Sequence, residues 1–305
     1  MISGLLLVDK PAGLTSHDVV ARARRALGTR KVGHAGTLDP AATGLLTLGA
    51  GPATRLLTYL VGLDKQYTTT IRLGSATTTD DAEGEVLGAP APAAALAAVT
   101  DERMAAGVAQ LTGEIEQVPS AVSAIKVDGR RAYDRVRAGE EVELASRRVT
   151  VSRFSIESVR RTPDAIEVDA VVDCSSGTYI RALARDLGRA LGVGGHLTAL
   201  RRTRVGPFTV SDPTAITLDA LVTAGENGSA ASLLASPADV AARLFPVLRT
   251  SDEQTRDLAH GKKLDGLDAP DASPVAAVDT AGRLVALLSV ERGRGRILTG
   301  FPQDS

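Results

Sequence analysis

The chain has 305 residues, of which 44% are hydrophobic and 23% are charged, and its formal net charge is −1. This composition predicts a soluble globular protein, and the length favours two domains over one. Because 35 basic residues are balanced by 36 acidic ones, a uniformly basic nucleic-acid binder is excluded, whereas local basic patches are not.

Two local basic patches are present. Residues 22–31 contain five basic residues and no acid, and residues 177–206 contain six arginines against the single acid Asp186. Solvated helix faces would produce the same pattern. Both clusters adjoin glycine-rich turns, however, and this favours a polyanionic ligand.

Metal centres, disulfide bonds and cofactors are not expected. Cys174 is the single cysteine, no CxxC or HExxH motif occurs, and the four histidines are far apart in sequence. No phosphate loop of the GxxxxGK[ST] type occurs either. The N-terminus does not resemble a signal peptide and no apolar stretch is long enough for a membrane span, which predicts a cytoplasmic protein.

The first predicted elements frame a glycine-rich loop. GLLLVDK (4–10) predicts a short buried strand, and Thr15 or Ser16 is expected to cap a helix that continues to about Leu27. RKVGHAGTLDPAATGLLTLG (30–49) has the glycine and proline density of a shaped loop and then becomes apolar. A strand, a turn and a short helix are expected to follow.

The central region is predicted to alternate strand, loop and helix. QYTTTIRLG (66–74) has the alternation of a strand, TTTDDAEGEV (77–86) reads as an acidic loop, and the Ala-rich residues 89–113 predict one helix after a Pro-Ala linker. The polar residues 118–143 contain a turn at Asp128-Gly129. A mobile basic arm and a surface helical hairpin are equally compatible with this segment.

Strands and a helix follow. The segments 149–159 and 165–174 predict strands, and the alternation in the second makes Cys174 a core residue. The next helix carries an apolar face. Its arginines, Arg181, Arg185 and Arg189, fall off that face.

A composition shift to Ala, Ser and Gly across residues 223–246 predicts a domain boundary there. Beyond it, a hairpin with its turn at residues 280–282 and a basic strand with Arg292, Arg294 and Arg296 predict a small β-rich module. The chain as a whole is predicted to be α+β, with a large mixed sheet, flanking helices and this C-terminal module.

Asp39 is the acid on which the glycine-rich loop centres. Pro40 restricts both its own φ and the backbone of Asp39, and Gly33, Gly36 and Gly44 permit close backbone approach or positive φ. The carboxylate of such a turn often only caps local amides. Without metal or histidine, it can also act as a general base or as a nucleophile at an anomeric carbon. A nucleophile must be ionised, which a nearby cation would favour, and Arg181 is a candidate.

Six ordered motifs over residues 4 to about 220 resemble the TruB family of pseudouridine synthases, which modify uridine 55 in the T-loop of transfer RNA. GHAGTLDPAATGLL, around Asp39, is similar to the catalytic motif of that family. The other similar motifs are LLVDKPAGLTSHDVV (6–20), KQYTTTIRLGSATTTDDAEGEV (65–86), VPSAVSAIKVDGRRAYDRVRAGE (118–140), CSSGTYIRALARDLG (174–188) and HLTALRRTRVGPF (196–208).

The resemblance implies roles for individual residues. Asp39 is similar to the catalytic aspartate, Tyr67 to a tyrosine that stacks on the target base and assists proton transfer, and Arg181 to the arginine that pairs with the acid. Contacts with the substrate are implied for Tyr67 and also for Lys10, His34, Tyr179, Leu200 and Arg202. Plain packing would otherwise be the simpler interpretation of Tyr67, Tyr179 and Leu200.

One departure from the family pattern lies in the RNA-gripping insertion. The family often has PPxYSAxK there, whereas this chain has VPSAVSAIK, with Ser120 and Val122 at the places of a proline and the tyrosine. An aromatic contact to RNA is therefore not expected from this segment, while the catalytic motif is unaffected.

The fold that the resemblance implies is the pseudouridine synthase fold, with a mixed, largely antiparallel sheet. A catalytic domain at residues 1–235 would carry a thumb-like insertion at about 118–145, and a PUA-like RNA-binding domain would occupy 244–305. The implied reaction breaks the N1–C1′ bond of uridine and rejoins the base through C5. It needs no cofactor and no metal, and it acts on tRNA in the cytoplasm, without a membrane or protein partner, as a monomer.

Two other functions are compatible with the sequence. An RNA-folding chaperone would bind RNA and carry chemistry only incidentally, and a guide-dependent relative would modify other RNAs within a ribonucleoprotein. The intact set of Asp39, Tyr67 and Arg181 argues against the first, and the compact length favours a stand-alone enzyme over the second.

Overall fold

The structure, a computed structural model, describes residues 2–120, 126–127, 130–131 and 145–302. The chain forms two compact units. The first comprises Met1–Pro40, Gly44–Val61 and Pro207–Ser305, and the second comprises Ala41–Thr43 and Gly62–Gly206. The predicted domain limits of 1–235 and 244–305 are not tested by this division and stay a prediction.

Helices and strands are interspersed along the described parts of the chain. The helices are α1 (Ser16–Ala26), α2 (Leu57–Val61), α3 (Ala93–Ala97), α4 (Asp101–Gln110), α5 (Ile180–Leu191), α6 (Leu218–Glu226), α7 (Pro237–Ala242) and α8 (Asp252–Ala259), with 3-10 turns at Gly51–Leu56 and Ala230–Leu233. The strands are β1 (Gly4–Lys10), β2 (Val32–His34), β3 (Thr43–Ala50), β4 (Lys65–Leu73), β5 (Ala76–Thr77), β6 (Val86–Leu87), β7 (Gly113–Gln117), β8 (Lys126–Val127), β9 (Arg130–Arg131), β10 (Arg147–Arg161), β11 (Ile166–Cys174), β12 (Gly195–Val205), β13 (Phe208–Thr209), β14 (Ala215–Thr217), β15 (Val247–Arg249), β16 (Ala272–Val278), β17 (Leu284–Glu291) and β18 (Arg294–Gly300).

In the first unit, β1 is the central strand. It pairs antiparallel with β3 and parallel with β14, and β2 pairs antiparallel with β3. Both the predicted strand at 4–10 and the helix after it are confirmed. The side chain of Thr15 accepts a hydrogen bond from the Asp18 amide, and Asp18 accepts one from the Thr15 amide, so a capping box starts α1.

The C-terminal part of the first unit is a four-stranded sheet in the order β15-β16-β17-β18, with β15 and β16 parallel and the other pairs antiparallel. The predicted turn at residues 280–282 connects β16 to β17. The predicted basic strand is β18, which contains Arg294 and Arg296, whereas Arg292 lies in the turn before it with a φ of 49°. The hydrophobic core of this C-terminal part includes Val275, Val285 and Leu288. The small β-rich module is therefore confirmed.

The second unit contains an antiparallel sheet in the order β12-β4-β11-β10-β7, with α5 packed against β12 and β4. The alternation predicted for β11 is confirmed, because every second residue from Ile166 to Cys174 is buried. Cys174 is 1% exposed, and burial raises the pKa of its thiol to about 11, so it is an inert core residue. One strand pair around β1, that of β1 and β14, is parallel, and so is one pair of the C-terminal sheet, that of β15 and β16. The sheets are therefore mixed and largely antiparallel, as predicted.

The single helix predicted for the Ala-rich segment is wrong. Two helices, α3 and α4, are separated at Ala98–Thr100. The hydroxyl of Thr100 accepts a hydrogen bond from the Arg103 amide and so caps a new helix. A strong N-cap inside an Ala-rich run therefore outweighs helix propensity at this point.

The structure tests the prediction for the acidic loop but describes only a small part of the insertion. The loop predicted at 77–86 is confirmed, and its ends are joined by the antiparallel pair of β5 and β6. Most of the thumb-like insertion, including Asp128-Gly129, lies outside the described residues. Lys126–Val127 and Arg130–Arg131, which flank that dipeptide, pair antiparallel. Among the helices of the described ranges, none is long and apolar enough to cross a membrane.

Candidate active site

Asp39 lies in the loop between β2 and β3 and is half-buried. The residue before it is anchored by the first residue of α1. The Ser16 hydroxyl donates a hydrogen bond to the carbonyl oxygen of Leu38 (3.1 Å) and accepts one from the Leu38 amide (2.9 Å), and Ser16 is 1% exposed. Both main-chain polar groups of Leu38 are thus satisfied by one buried side chain.

The residue after Asp39 is anchored as well. The carbonyl oxygen of Pro40 accepts hydrogen bonds from the Lys10 ammonium (3.1 Å) and the Gly13 amide (2.9 Å). Lys10 is fully buried, and its ammonium also donates to the carbonyl oxygens of Pro11 (2.9 Å) and Leu14 (2.8 Å). The loop therefore holds Asp39 between two fixed neighbours, which is the rigidity that a catalytic carboxylate requires.

Two of the three loop glycines adopt positive φ, 91° at Gly36 and 99° at Gly44. An L side chain is strained in that region, so glycine is required for the turn. Gly33 instead allows close packing, because a Cβ there would lie 3.2 Å from Cδ1 of Leu57. The predicted use of these glycines is confirmed.

Replacement of Ser16 with alanine is expected to destabilise the protein by about 1–3 kcal/mol, because it leaves a buried amide and a buried carbonyl of Leu38 without these hydrogen bonds. The loop next to Asp39 would also lose one of its two anchors. Urea denaturation and single-turnover kinetics of Ser16→Ala measure the two effects. Exposed Ser152→Ala on β10 is the control, and equal behaviour of the two variants would contradict this account.

His34 is the other predicted substrate contact in the first unit. It is half-buried on β2, and its ring meets that of His17 edge-on at a centroid distance of 5.5 Å. His17 lies on α1 directly after Ser16. The first unit therefore places Lys10, His34 and the Asp39 loop on adjoining elements around the start of α1.

The second unit brings three predicted residues together on paired strands. Tyr67 of β4 lies between Val172 of β11 and Arg202 of β12, and Leu200 is two positions from Arg202 on β12. Tyr67 is half-buried against the core, whereas Arg202 is 1% exposed. A partly exposed tyrosine on a rigid central strand is suited to act as a stacking platform.

Arg181 is buried, although the sequence places it off the apolar face of α5. That apolar face is confirmed, and Arg181, which lies off it, is nevertheless only 6% exposed. Its guanidinium donates to the carbonyl oxygen of Thr79 (3.0 Å) and lies 3.4 Å from Oδ2 of Asp81. The acidic loop thus supplies two half-buried partners for this buried cation, as a buried charge requires.

The adjacent Asp80 pairs with the next arginine on α5. Its φ is 60°, and its carboxylate lies 3.2 Å from Nη1 of Arg185. Burial raises the pKa of Asp80, opposed by the charge of Arg185. Sequence reasoning missed both acids as arginine partners. The available signal was an acidic pair in one motif and two arginines four residues apart on a helix.

Tyr179 directly precedes α5 as its N-cap residue, and it has no side-chain capping hydrogen bond. The guanidinium of Arg147, at the start of β10, lies 5.7 Å above the ring centroid. Tyr179 and Arg181 therefore share the beginning of α5. Among the described residues, no cluster of His, Cys, Asp and Glu could hold a metal ion.

Lys65 introduces a pH dependence into the same sheet. Burial, and secondly the charge of Arg202, lower the pKa of Lys65 to about 8. The unfolded lysine keeps its proton up to about pH 10.4, so between pH 8 and 10.4 the unfolded state binds more protons than the folded one. The free energy of unfolding is therefore expected to rise with pH across that interval.

The size of this effect is at most about 3 kcal/mol. Urea denaturation of the wild type and of Lys65→Met from pH 7 to 10.5 measures it, because the difference between the two proteins isolates Lys65 from other titrating groups. A difference that is constant with pH would show that Lys65 keeps an ordinary pKa.

Comparison with known proteins gives a consistent result over the whole chain. Residues 24–180 match the model of the TruB family pseudouridylate synthase N-terminal domain, 181–244 match a tRNA pseudouridylate synthase B C-terminal domain, and 245–302 match the C-terminal model of tRNA pseudouridine synthase II.

Two relatives carry the name tRNA pseudouridine synthase B. The protein from Leifsonia xyli subsp. xyli is 59% identical over 99% of this chain and 97% of its own, and that from Thermobifida fusca is 53% identical over 99% of both. Among solved structures, the chain is similar to the archaeal box H/ACA sRNP Nop10-Cbf5 complex, with TM-score 0.70 and 27% identity over 98% of this chain and 86% of that one. A Cbf5-Nop10-Gar1 complex gives TM-score 0.70 and 26% identity over 98% and 84%.

Proposed function

Because this chain belongs to the TruB family of pseudouridylate synthases, we propose that it is an isomerase that converts uridine 55 in the T-loop of tRNA to pseudouridine, with Asp39 as its catalytic carboxylate. The observation that carries the proposal is the full-length similarity to tRNA pseudouridine synthases B at 52–59% identity. The anchored loop around Asp39 supports the assignment of the carboxylate.

The reaction needs no redox change. The N1–C1′ bond breaks, the uracil turns, and a C5–C1′ bond forms. The proton on C5 goes to solvent and N1 takes up a proton, so substrate and product are isomers. A carboxylate alone can start this exchange, by attack at C1′, by proton removal at C2′ to give a glycal, or by addition at C6. The fixed backbone on both sides of Asp39 supplies the orientation that each route requires.

The target base must leave the RNA stack before Asp39 can act on it, and a flipped base needs an aromatic platform. Tyr67 on β4 is the residue proposed for stacking, with Tyr179 and Leu200 as further walls of the pocket. Arg181 is proposed to pair with the ionised carboxylate. Its partners Thr79 and Asp81 hold the guanidinium in place before substrate arrives. The resemblance implies substrate contacts for Lys10, His34 and Arg202, but Lys10 and Arg202 are 0% and 1% exposed. Lys10 is therefore proposed to act by holding Pro40 and Arg202 by supporting the strand next to Tyr67, and His34 is proposed to contact RNA.

The enzyme is proposed to act alone, as a cytoplasmic monomer without a protein partner. The similar solved structures are complexes with Nop10, and in one case also with Gar1. Action without a protein partner would distinguish this chain from those proteins. The chaperone and guide-dependent functions are not favoured, because the relatives over the full length are named as tRNA-modifying enzymes.

Tritium release tests the proposal. Purified protein is incubated with a tRNA transcript labelled at C5 of uridine, without metal, cofactor or other RNA, and pseudouridine is mapped by carbodiimide-dependent reverse-transcription stops. One equivalent of tritium and one stop at the T-loop uridine are expected. A transcript with cytidine at that place is the control. Binding without release would favour a chaperone, and release only after addition of a second RNA would favour guide-dependent modification.

A further inference from the structure

The residues on either side of the insertion at about 118–145 contact the start of the helix that carries Tyr179 and Arg181. Gln117 ends β7, and Arg147 begins β10. The two residues are register partners in the antiparallel pair of these strands. The chain therefore leaves the sheet after Gln117 and returns to the neighbouring position at Arg147.

Gln117 clamps the main chain of Tyr179. Its Oε1 accepts a hydrogen bond from the Tyr179 amide (2.8 Å), and its Nε2 donates to the Tyr179 carbonyl oxygen (3.1 Å). Gln117 is fully buried. A primary amide that pairs with both polar groups of one residue fixes its backbone much as a strand partner would.

Gln117 makes these hydrogen bonds at the N-terminus of α5, which has no side-chain cap. Tyr179 is the N-cap residue, yet its side chain makes no capping hydrogen bond, and its φ and ψ of −101° and 107° are extended. The Tyr179 carbonyl oxygen also accepts the hydrogen bond of the Leu183 amide (3.2 Å). The direction in which α5 starts, and with it the position of Arg181, therefore depends on how Gln117 holds Tyr179.

Two further contacts bind the same region. The carbonyl oxygen of Val118 accepts a hydrogen bond from Nη2 of Arg185 (2.7 Å), one turn further along α5, and Arg185 is itself paired with Asp80. On the return side, the guanidinium of Arg147 lies over the Tyr179 ring. Both ends of the insertion thus contact α5 within its first two turns.

We infer that Gln117 is a positioning residue for the isomerisation: its side-chain amide holds Tyr179 and the start of α5 in the reactive arrangement. The inference rests on the proposed function. Gln117 has no role as a substrate contact here. Its effect passes through the Tyr179 backbone to the Tyr179 ring and the Arg181 guanidinium, and displacement of reacting groups by about 1 Å can lower a rate 100-fold.

The variant Gln117→Met separates hydrogen bonding from packing. Methionine matches glutamine in length and volume but can neither accept from the Tyr179 amide nor donate to its carbonyl. The expected result is a single-turnover rate constant on saturating T-arm RNA that falls by about tenfold or more, with a dissociation constant within about threefold of wild type. Gln110→Met, at an exposed position on α4, is the matched control and is expected to behave as wild type.

Amide hydrogen exchange of the peptide around residues 176–184 provides a readout that does not depend on activity. The Tyr179 amide is expected to exchange faster in Gln117→Met than in wild type, without RNA present. If wild type formed no pseudouridine, the proposed function would fail while this exchange difference would still report on the clamp. If Gln117→Met does not fold, Gln117→Asn, with its amide shortened by one methylene group, replaces it with the same expected results.

Three results would overturn the inference. They are a Gln117→Met rate equal to that of wild type, a defect confined to RNA affinity, and unchanged exchange at Tyr179. The first would reduce Gln117 to a packing residue, the second would place its effect in the grip on RNA, and the third would show that the amide does not hold the main chain.

Discussion

Replacement of Asp39 with asparagine is expected to abolish pseudouridine formation, with a loss of at least about 10⁴-fold in the single-turnover rate constant. Asparagine preserves the shape of the side chain and fits the same anchored loop. It has no negative charge with which to attack C1′, remove a proton at C2′ or add to C6. All three routes therefore fail together, whichever one the enzyme uses.

RNA affinity is expected to change by no more than about threefold in Asp39→Asn, because phosphate contacts dominate binding to RNA and do not involve this carboxylate. Filter binding and carbodiimide mapping on the same T-arm RNA measure affinity and activity. Asp164→Asn is the matched control, since Asp164 is an exposed loop aspartate that also adjoins a proline. Residual activity above about 1% of wild type would remove Asp39 from the catalytic role.

Replacement of Gly188, the single glycine of α5, with alanine is expected to cause a large loss of stability. A Cβ at Gly188 would lie 2.2 Å from the carbonyl carbon of Gly194 and from the amide nitrogen of Gly195. These atoms belong to the backbone of the turn into β12, so no side chain can rotate away. The Gly188 carbonyl oxygen also accepts hydrogen bonds from the amides of Val193 (3.0 Å) and Gly194 (3.1 Å), which end the helix.

The expected cost of Gly188→Ala is about 3 kcal/mol or more, well above the gain of about 1 kcal/mol that alanine brings to a helix interior. Relief of the overlap would move α5 away from β12, and Arg181 with it, so activity is expected to fall as well. Urea and thermal denaturation measure the loss. Gly62→Ala is the control, because a Cβ at Gly62 would meet no atom within 4 Å and its φ is not in the left-handed region. Equal stability of the two variants would refute the close approach.

Many elements could be predicted because their signals are local. The apolar run of β1, the capping box of α1 and the strict alternation of β11 each depend on residues that are near one another in sequence. The loop around Asp39 belongs to this group. Its proline and glycines act on their own backbone angles, and this makes a rigid turn visible before any fold is known.

Other features could not be predicted because they depend on residues that are distant in sequence. The anchors of the Asp39 loop, Ser16 and Lys10, contact it across 22 and 30 positions, and Gln117 reaches Tyr179 across 62. Helical periodicity places Arg181 on the polar side of α5 and cannot reveal that the acidic loop covers it there.

The sequence by itself therefore determined the family, the carboxylate proposed for catalysis and the succession of most elements, since motifs and backbone preferences are properties of short segments. Only the tertiary structure decided which side chains hold Asp39, Tyr179 and Arg181 in place. Buried polar groups must find hydrogen-bond partners wherever the folded chain brings them together, and a one-dimensional pattern does not contain those distances.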